Sequence, residues 1–199
     1  MAVHRFDIAA LSAAPWKNGG GVTREIVCSP PGAGMEGFDW RVSIATIDKP
    51  GPFSPFAGVD RVIMLLDGAG VRLRSRDGRI DHRLEVPYAP FPFGGDVALD
   101  CELLGGTSTD FNVMSRRGRL HAEVRVLREG GDIAPAERGL LLPLRGRWQL
   151  NDIECEAGAG LWWDGDMKQW HVTSLDADAA LVALRLEATT TTSSDNRTP

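Results

Sequence analysis

Residues 51–68 read Gly51-Pro52-Phe53-Ser54-Pro55-Phe56-Ala57-Gly58-Val59-Asp60-Arg61-Val62-Ile63-Met64-Leu65-Leu66-Asp67-Gly68. This stretch begins with a glycine–proline turn and a loop that contains a second proline. A continuous apolar run follows, and the dipeptide Asp67-Gly68 closes it with residues that a tight hairpin prefers. Because the apolar run is short and lies between turn signals, it predicts a buried strand over residues 61–66 with an antiparallel neighbour.

The same alternation of short apolar runs and turn residues extends along the chain, and it contains little helical periodicity. Asp77-Gly78 is another hairpin dipeptide, and Pro87, Pro90 and Pro92 predict an extended crossing outside any hydrogen-bonded ladder. The sequence therefore predicts an all-β fold of consecutive antiparallel strands. The strands predicted in this first part are 3–8, 23–28, 40–47, 61–66, 70–76, 79–84, 97–103 and 110–115.

After residue 120 the pattern restarts, which predicts a second, smaller β unit. Its predicted strands are 120–127, 140–144, 147–150, 152–155, 161–163 and 180–186. Residues 128–135 are polar and rich in chain-breaking residues, so they are the predicted junction. Residues 188–199 have no apolar side chain beyond one alanine and are predicted to be a disordered tail. We therefore predict a first barrel with a ligand pocket over 1–127, a second unit over 128–187, and the tail.

Composition excludes several classes of partner. The 199 residues include 22 Lys and Arg and 27 Asp and Glu, so the formal net charge is −5, which disfavours binding to nucleic acid or to anionic lipid. No apolar run has membrane-spanning length, and the N-terminal residues do not resemble a secretory signal. Cys28, Cys101 and Cys155 are odd in number and far apart, so no disulfide framework is expected. We expect a cytoplasmic protein.

Residues 15–26 read Pro15-Trp16-Lys17-Asn18-Gly19-Gly20-Gly21-Val22-Thr23-Arg24-Glu25-Ile26, with an aromatic ring, a cation and an amide before three glycines. Glycine removes the steric cost of a positive φ and lets other groups approach the backbone closely. The run therefore predicts either a tight turn or a segment whose N–H groups face a bound group. This chemistry favours binding over catalysis.

Two predicted strands separate polar from apolar side chains, because alternate residues of a strand share a face. Arg41 and Ser43 lie on one face of the first strand, and its apolar residues lie on the other. For an isolated strand, the apolar face would be buried and the polar face solvated, whereas a barrel that encloses a ligand also has polar inner residues. In the other strand, Phe111 and Val113 point one way, and the opposite face carries Asp110, Asn112, Met114 and Arg116.

The layout of residues 51–68 resembles the first signature of the cupin superfamily. In metal-binding cupins this signature carries two histidines and a glutamate as ligands, whereas the matching positions here are Ser54, Phe56 and Asp60. A hydroxyl and a phenyl ring cannot replace imidazole nitrogens, so we predict that the chain binds no metal. The histidines are scattered along the chain, at His4, His82, His121 and His171.

Four blocks in order, residues 16–26, 38–45, 51–54 with 60–61, and 110–118, together resemble the HutD/Ves family, a metal-free branch of the cupins associated with bacterial histidine utilisation. The resemblance covers most of the chain. It implies a bicupin, in which two consecutive cupin-type antiparallel β-barrels or jelly rolls follow one another, with a small-molecule pocket in the first. It does not imply a proven enzymatic reaction.

The resemblance implies a regulatory or accessory protein that binds a small carboxylate metabolite such as formylglutamate, without a cofactor and without a catalytic residue. Arg61 lies in the cupin-like signature, and a guanidinium there would hold a carboxylate through two parallel hydrogen bonds. The predicted ligand-binding residues are Trp16, Lys17, Asn18, Gly19, Gly20, Thr23, Arg24, Arg41, Ser54, Arg61, Asn112 and Arg116.

Two other functions stay open from the sequence. Some cupins catalyse isomerisation or epimerisation without a metal, and here Tyr88 and Asp110 would be the groups to test. The aromatic second half could instead dock a partner or a second copy of the chain, as a homodimer or as an interaction module of the stress-response Ves type. Its aromatic residues include Trp148, Trp162, Trp163 and Trp170.

Overall fold

The computed structural model describes residues 3–189, and the all-β prediction is confirmed. Helical structure in this range is limited to a 3₁₀ turn at Ile8–Ala10 and the short helix α1 at Gly34–Gly37, and no helix is long and apolar enough to span a bilayer. The strands are β1 His4–Asp7, β2 Ala13–Pro15, β3 Gly21–Ser29, β4 Trp40–Ile47, β5 Gly51–Phe53, β6 Val59–Asp67, β7 Val71–Ser75, β8 Asp81–Leu84, β9 Phe91–Gly94, β10 Leu99–Leu103, β11 Ser108–Arg116, β12 Leu120–Leu127, β13 Gly131–Arg145, β14 Trp148–Leu150, β15 Ile153–Cys155, β16 Ala159–Ser174 and β17 Ala180–Ala188.

These strands form three antiparallel sheets. Sheet I has the order β12-β17-β13-β16-β14-β15, and β1 also pairs with β16. Sheet II has the order β2-β3-β4-β11-β6-β9, and sheet III the order β5-β10-β7-β8. The apolar stretch quoted first is β6, which pairs with β11 on one side and β9 on the other.

The first barrel consists of sheets II and III packed face to face. Ile63 and Leu65 of β6 lie in one apolar cluster with Leu73 of β7 and Leu99 of β10. We call the face of sheet II that points toward sheet III the inner face of the first barrel. Since alternate residues share a face, Arg61 also lies on it.

The opposite face of sheet II packs against sheet I and joins the two halves of the molecule. Trp40 and Phe111 of sheet II lie in one cluster with Leu140 and Leu184 of sheet I. Sheet I also encloses a core of its own, which includes Trp148, Leu161, Trp163, Trp170 and Ala183. The two consecutive barrels of the predicted bicupin are therefore present, and they share an extensive apolar contact.

Strand pairing differs from the predicted division after residue 127. Strand β12 belongs to the predicted first unit, yet it pairs along its whole length with β17 at the other end of the chain. Strand β1 pairs with β16 in the same way. Leu120 and Val124 of β12 add to the cluster between sheets I and II. Burial of these apolar side chains therefore favours the pairing of β12 with the second unit. The predicted junction 128–135 is only partly a loop, because β13 begins at Gly131.

Three strands that the sequence pattern did not predict each contain a proline. Strands β2, β5 and β9 include Pro15, Pro52 and Pro92, and each lies at the edge of its sheet. A proline cannot donate a ladder hydrogen bond, and an edge strand can spare one because one side has no neighbour. The prediction that Pro87, Pro90 and Pro92 exclude a ladder was therefore wrong for β9.

The first two residues of the predicted tail, Ala188 and Thr189, are hydrogen-bonded to the rest of the molecule. Ala188 pairs with Leu120 at the end of β17, and the N–H of Thr189 donates to the carbonyl of Arg119 at 2.9 Å. Both residues are thus fixed by backbone hydrogen bonds. The prediction for residues 190–199 lies outside the described residues.

Candidate functional site

The central strands of sheet II bring polar side chains together on the inner face of the first barrel. The strand order β4-β11-β6 places Asn112 directly opposite Ser43, and Met114 between Arg41 and Arg61. The alternation predicted for β4 and β11 is confirmed, since Trp40, Val42, Phe111 and Val113 all lie in the cluster on the other face. Both faces of these strands are buried, so this polar face is not a solvated one.

Arg61 is the centre of this group. Its side chain donates from Nε and Nη2 to Oδ1 of Asn112, at 3.2 and 2.9 Å, and the residue is only 8% exposed. The guanidinium carbon lies 5.0 Å from the ring centroid of Phe93, 5.6 Å from that of Phe53 and 5.7 Å from that of Phe56. Aromatic ring faces attract a cation, and they do so more strongly when water is excluded. The sequence predicted Arg61 and Asn112 as ligand residues, and the structure brings them into direct contact.

No anion neutralises Arg61 at close range. Within residues 3–189, no carboxylate oxygen lies within 4.0 Å of its guanidinium, although ion pairs of that length are common elsewhere on the molecule. Burial lowers the pKa of Arg61 to about 10, the negative charge of Asp110 acts in the opposite direction, and the positive charge of Arg41 adds to the decrease. The group is still a cation at neutral pH. A buried cation without a partner is costly, which is why such groups are usually paired or bind a ligand.

Asp110 is a site residue that the predicted ligand set omits. It is 3% exposed on the inner face, and its Oδ2 has no hydrogen-bond donor among the described residues. Burial raises the pKa of Asp110 to about 7, although the nearby Arg61 favours the charged form. Alternation along β11 already places Asp110 on the face of Asn112, so the signal was available in the sequence.

A buried thiol lies near this carboxyl group. Burial raises the pKa of Cys101 to about 12, and the negative charges of Asp110 and Glu102 act in the same direction. The Cys101 side chain is therefore a neutral thiol that packs with the apolar side chains of the first barrel.

Arg41 lies on the same face as Arg61 and has a partner of its own. Its Nε donates to Oε2 of Glu25 at 2.7 Å, and its Nη1 donates to Oγ of Ser43 at 3.4 Å. Glu25 is half exposed, so this ion pair lies where the polar face approaches solvent. Arg41 therefore adds positive potential beside Arg61 while its own charge is balanced.

A solvent-accessible cleft of about 270 Å³ lies where β6 and β9 meet β12. Arg61 and Phe93 form part of its wall, together with Val62, Pro92 and His121. Val62 and Pro92 alternate with Arg61 and Phe93, so the cleft opens on the face of sheet II that packs against sheet I, whereas the Arg61 guanidinium lies on the opposite, inner face.

The segment before the three glycines helps to build the wall around Arg61. Nε1 of Trp16 donates to Oγ1 of Thr23 at 2.8 Å, which fixes the indole ring. That ring meets Phe53 edge-on, with centroids 6.2 Å apart. Trp16 and Thr23 therefore support a ring that covers Arg61, and they do not contact the guanidinium themselves.

The glycine run itself is a tight turn. The N–H of Gly19 donates to the carbonyl of Trp16, and the N–H of Gly20 donates to Oδ1 of Asn18, both at 3.0 Å. Gly19 has φ +65°, the conformation that glycine adopts without strain. We therefore assign Gly19 and Gly20 to the turn and not to ligand contact, because their donors are already used. Lys17 is exposed on its surface.

Three other predicted ligand residues lie outside the group around Arg61. Arg24 is opposite Ile44, whose side chain is in the cluster between sheets I and II, so Arg24 projects from the other face of sheet II. Arg116 donates to the backbone carbonyls of Glu36, Phe38 and Ala57. It therefore connects the segment around α1 to the loop before β6. Ser54 is exposed in the loop after β5.

The positions that match the metal ligands of the cupin signature do not fit a metal ion. Phe56 faces Arg61 with its ring, and Asp60 accepts a hydrogen bond from Arg117 at 2.7 Å. A guanidinium in the same barrel would also repel a divalent cation. Residues 3–189 contain no group of three or more His, Cys, Asp or Glu side chains arranged to bind a metal.

The two residues of the enzyme alternative are on opposite sides of sheet II. Tyr88 packs against the cluster between sheets I and II, whereas Asp110 is inside the first barrel. The guanidinium of Arg128 lies 5.2 Å from the Tyr88 ring centroid. Tyr88 and Asp110 therefore do not form an acid–base pair in this structure.

Known proteins provide a comparison for this geometry. The HutD family model matches residues 8–189 of the chain. The chain belongs to the HutD family. Its relatives include the Ves protein of Cronobacter sakazakii, which is 41% identical over 159 residues and matches over 79% of this chain and 85% of that protein. The solved structure of HutD from Pseudomonas fluorescens SBW25, obtained in a formate condition, is 32% identical with a TM-score of 0.83, over 95% of this chain and all of that one.

Membership of the HutD family agrees with a cupin-like fold. Oxalate decarboxylase from Lactobacillus farciminis has a TM-score of 0.61 over 92% of this chain and 85% of its own, at 10% sequence identity. A likeness at that identity shows the fold alone. The family resemblance that the four sequence blocks predict is confirmed.

Proposed function

We propose that this HutD-family chain binds a small carboxylate metabolite in its first barrel and serves as a regulatory or accessory protein of histidine utilisation in the cytoplasm. The observation that carries the proposal is the buried Arg61 guanidinium, which has no carboxylate within 4.0 Å among residues 3–189. A ligand carboxylate would neutralise this charge where water cannot. The resemblance to the HutD family and the relative named HutD support the proposed metabolic setting.

Arg61 supplies the chemistry that carboxylate binding needs. A guanidinium can donate two parallel hydrogen bonds to one carboxylate, which lysine cannot imitate. Asn112 fixes the orientation of this group through Nε and Nη2, and within residues 3–189 Nη1 has no hydrogen-bond acceptor. The surrounding phenylalanine rings exclude water and hold the guanidinium plane. A preoriented donor loses little side-chain entropy when the ligand binds.

The outer part of the site would select the rest of the metabolite. Arg41 and Ser43 continue the polar face, and a second carboxylate or a formamide group of the ligand would find donors there. Lys17, Asn18 and Ser54 stay in the proposal as residues of the exposed rim. N-formyl-L-glutamate has two carboxylates and a formamide, the groups that these donors would bind.

Calorimetric titration with N-formyl-L-glutamate tests the proposal. We expect Arg61→Ala to weaken binding by about 2 to 5 kcal/mol, because the charged donor is lost from a buried site. The matched control is Arg74→Ala, which removes an exposed arginine that lies 3.6 Å from Glu102, and its effect should be below about 0.5 kcal/mol.

A second variant separates loss of the ligand contact from loss of the fold. Arg61→Lys keeps the charge but not the fork of donors, so it should fold and still bind more weakly than the wild type. Circular dichroism spectra and melting curves should match for all three variants before titration. Equal affinity of Arg61→Ala and Arg74→Ala would contradict the assignment of Arg61, and absence of binding to the wild type would contradict the ligand class.

A further inference from the structure

The second barrel has a pocket of its own at one open end, with a volume of about 230 Å³. It is bounded by β12, β17 and the start of β13. Its size is that of a small metabolite, below the range of drug-sized ligands. The lining includes both apolar and charged side chains, among them Leu127, Ile133 and Ala183 and also Arg125, Glu129 and Arg185.

Strand alternation places these side chains on the inner face of sheet I. Along β17, Ala183 belongs to the core that sheet I encloses, whereas Val182 and Leu184 belong to the cluster between the barrels. Arg185 therefore follows Ala183 onto the inner face. Leu127 of β12 also packs against the enclosed core. The pocket is thus lined by side chains from the inner face of sheet I, and Arg61 is not among them.

Arg185 is held in place but keeps one unsatisfied donor. Its Nη1 donates to Oε2 of Glu123 at 2.7 Å, and its Nη2 donates to the carbonyl of Pro135 at 3.2 Å and to Glu187. Its Nε is buried and has no acceptor among residues 3–189. A buried donor without an acceptor is costly, and such groups in proteins usually bind water or a ligand.

The mouth of the pocket offers both signs of charge. Arg125 is exposed there, and among the described residues no carboxylate oxygen lies within 4.0 Å of its guanidinium. Glu129 likewise has no ion-pair partner within residues 3–189. The floor between these charges is apolar, because Leu127, Ile133 and Ala183 line it. A ligand that matches this surface has a carboxylate, an ammonium group and an aliphatic body.

We propose that the second barrel binds a free aliphatic α-amino acid in this pocket. The carboxylate faces the guanidinium groups of Arg125 and Arg185, the ammonium group faces Glu129, and the side chain packs on the apolar floor. Both charges of the ligand are needed, because each meets an opposite charge in the pocket. This inference does not depend on the function proposed for the first barrel, since the two sites share no residue.

Three ligands that share the 3-methylbutyl skeleton test this proposal by NMR titration of the full chain. L-leucine carries both charges, 4-methylpentanoate lacks the ammonium group, and 3-methylbutylamine lacks the carboxylate. We expect saturable shifts with L-leucine and at least about tenfold weaker binding of the other two. Absence of saturable binding by L-leucine would overturn the proposal, and so would equal binding of 4-methylpentanoate.

Variants locate the site. Arg185→Gln and Arg125→Gln should each weaken L-leucine binding by at least about tenfold, and Arg125 is exposed, so its replacement leaves the fold intact. Arg145→Gln is the matched control, because Arg145 pairs with Asp178 on the surface and does not line the pocket. Arg61→Ala should leave L-leucine binding unchanged. Unchanged binding in Arg125→Gln would refute the pocket as the site.

Discussion

Arg61 and Asp110 are both buried inside one barrel, yet they do not form an ion pair within 4.0 Å. Asn112 takes the hydrogen bonds of Arg61, and the Oδ2 of Asp110 is left without a donor within residues 3–189. Burial therefore dominates the pKa of Asp110 and raises it to about 7. The protein tolerates this carboxyl group at some cost, which is typical of a binding site more than of a structural core.

Asp110 should make stability depend on pH. An unfolded aspartate loses its proton near pH 3.8, whereas folded Asp110 keeps it to about pH 7. Between these values the folded state holds one more proton, so the free energy of unfolding falls as pH rises through that window and does not change further above it. Each pKa unit corresponds to about 1.4 kcal/mol and nearly two units are titrated between pH 5 and pH 8, so the wild type should lose about 3 kcal/mol from this group over that range. Urea unfolding at both pH values measures the loss.

The variant Asp110→Asn removes this titration and should show a smaller decrease between pH 5 and pH 8. The control Asp100→Asn changes an exposed carboxylate on β10 and should keep the slope of the wild type. Equal slopes in the two variants would show that Asp110 is ionised in the folded state throughout this range.

At the level of strands, the sequence predicted the inner and outer faces of β4 and β11, because alternation needs only local information. It could not place Arg61 beside Asn112, since that depends on the strand order β4-β11-β6. The edge strands β2, β5 and β9 were missed because a local rule about proline does not say which strands have a free edge. Thr23 and Arg24 were both assigned to the ligand, although neighbours in one strand point to opposite faces.

Gly21 shows what the glycine run requires of strand β3. It is opposite Ile47 of β4, and a Cβ at this position would lie 2.2 Å from the carbonyl oxygen of Thr46. Gly21→Ala should therefore separate the start of β3 from β4 and lower the free energy of unfolding by about 2 kcal/mol or more. Gly37→Ala is the control, because its nearest contact would be an ordinary 3.7 Å from Cβ of Ala33. Urea unfolding should separate the two variants, and equal stability would mean that the strands adjust without cost.

Over the whole molecule, two strands from the first part of the chain belong to the sheet of the second part. Strands β1 and β12 come from the first 127 residues and complete sheet I, which otherwise consists of strands after residue 130. One face of sheet II packs against sheet I, through Leu140, Leu142 and Leu184. The two barrels therefore depend on one another, in contrast to the independent units that a division after residue 127 would suggest.

This mutual dependence predicts the behaviour of a fragment that ends at residue 127. Without β16 and β17, β1 and β12 have no partner strands, and Trp40, Val42 and Phe111 are exposed on an apolar face of sheet II. Such a face promotes aggregation, so the fragment should not unfold as a cooperative monomer. By contrast, the chain truncated after residue 189 should unfold as a cooperative monomer. Its urea transitions measured by tryptophan fluorescence and by circular dichroism should coincide. A monomeric fragment 1–127 with a sharp transition, measured by light scattering and the same two probes, would show that the first barrel folds without sheet I.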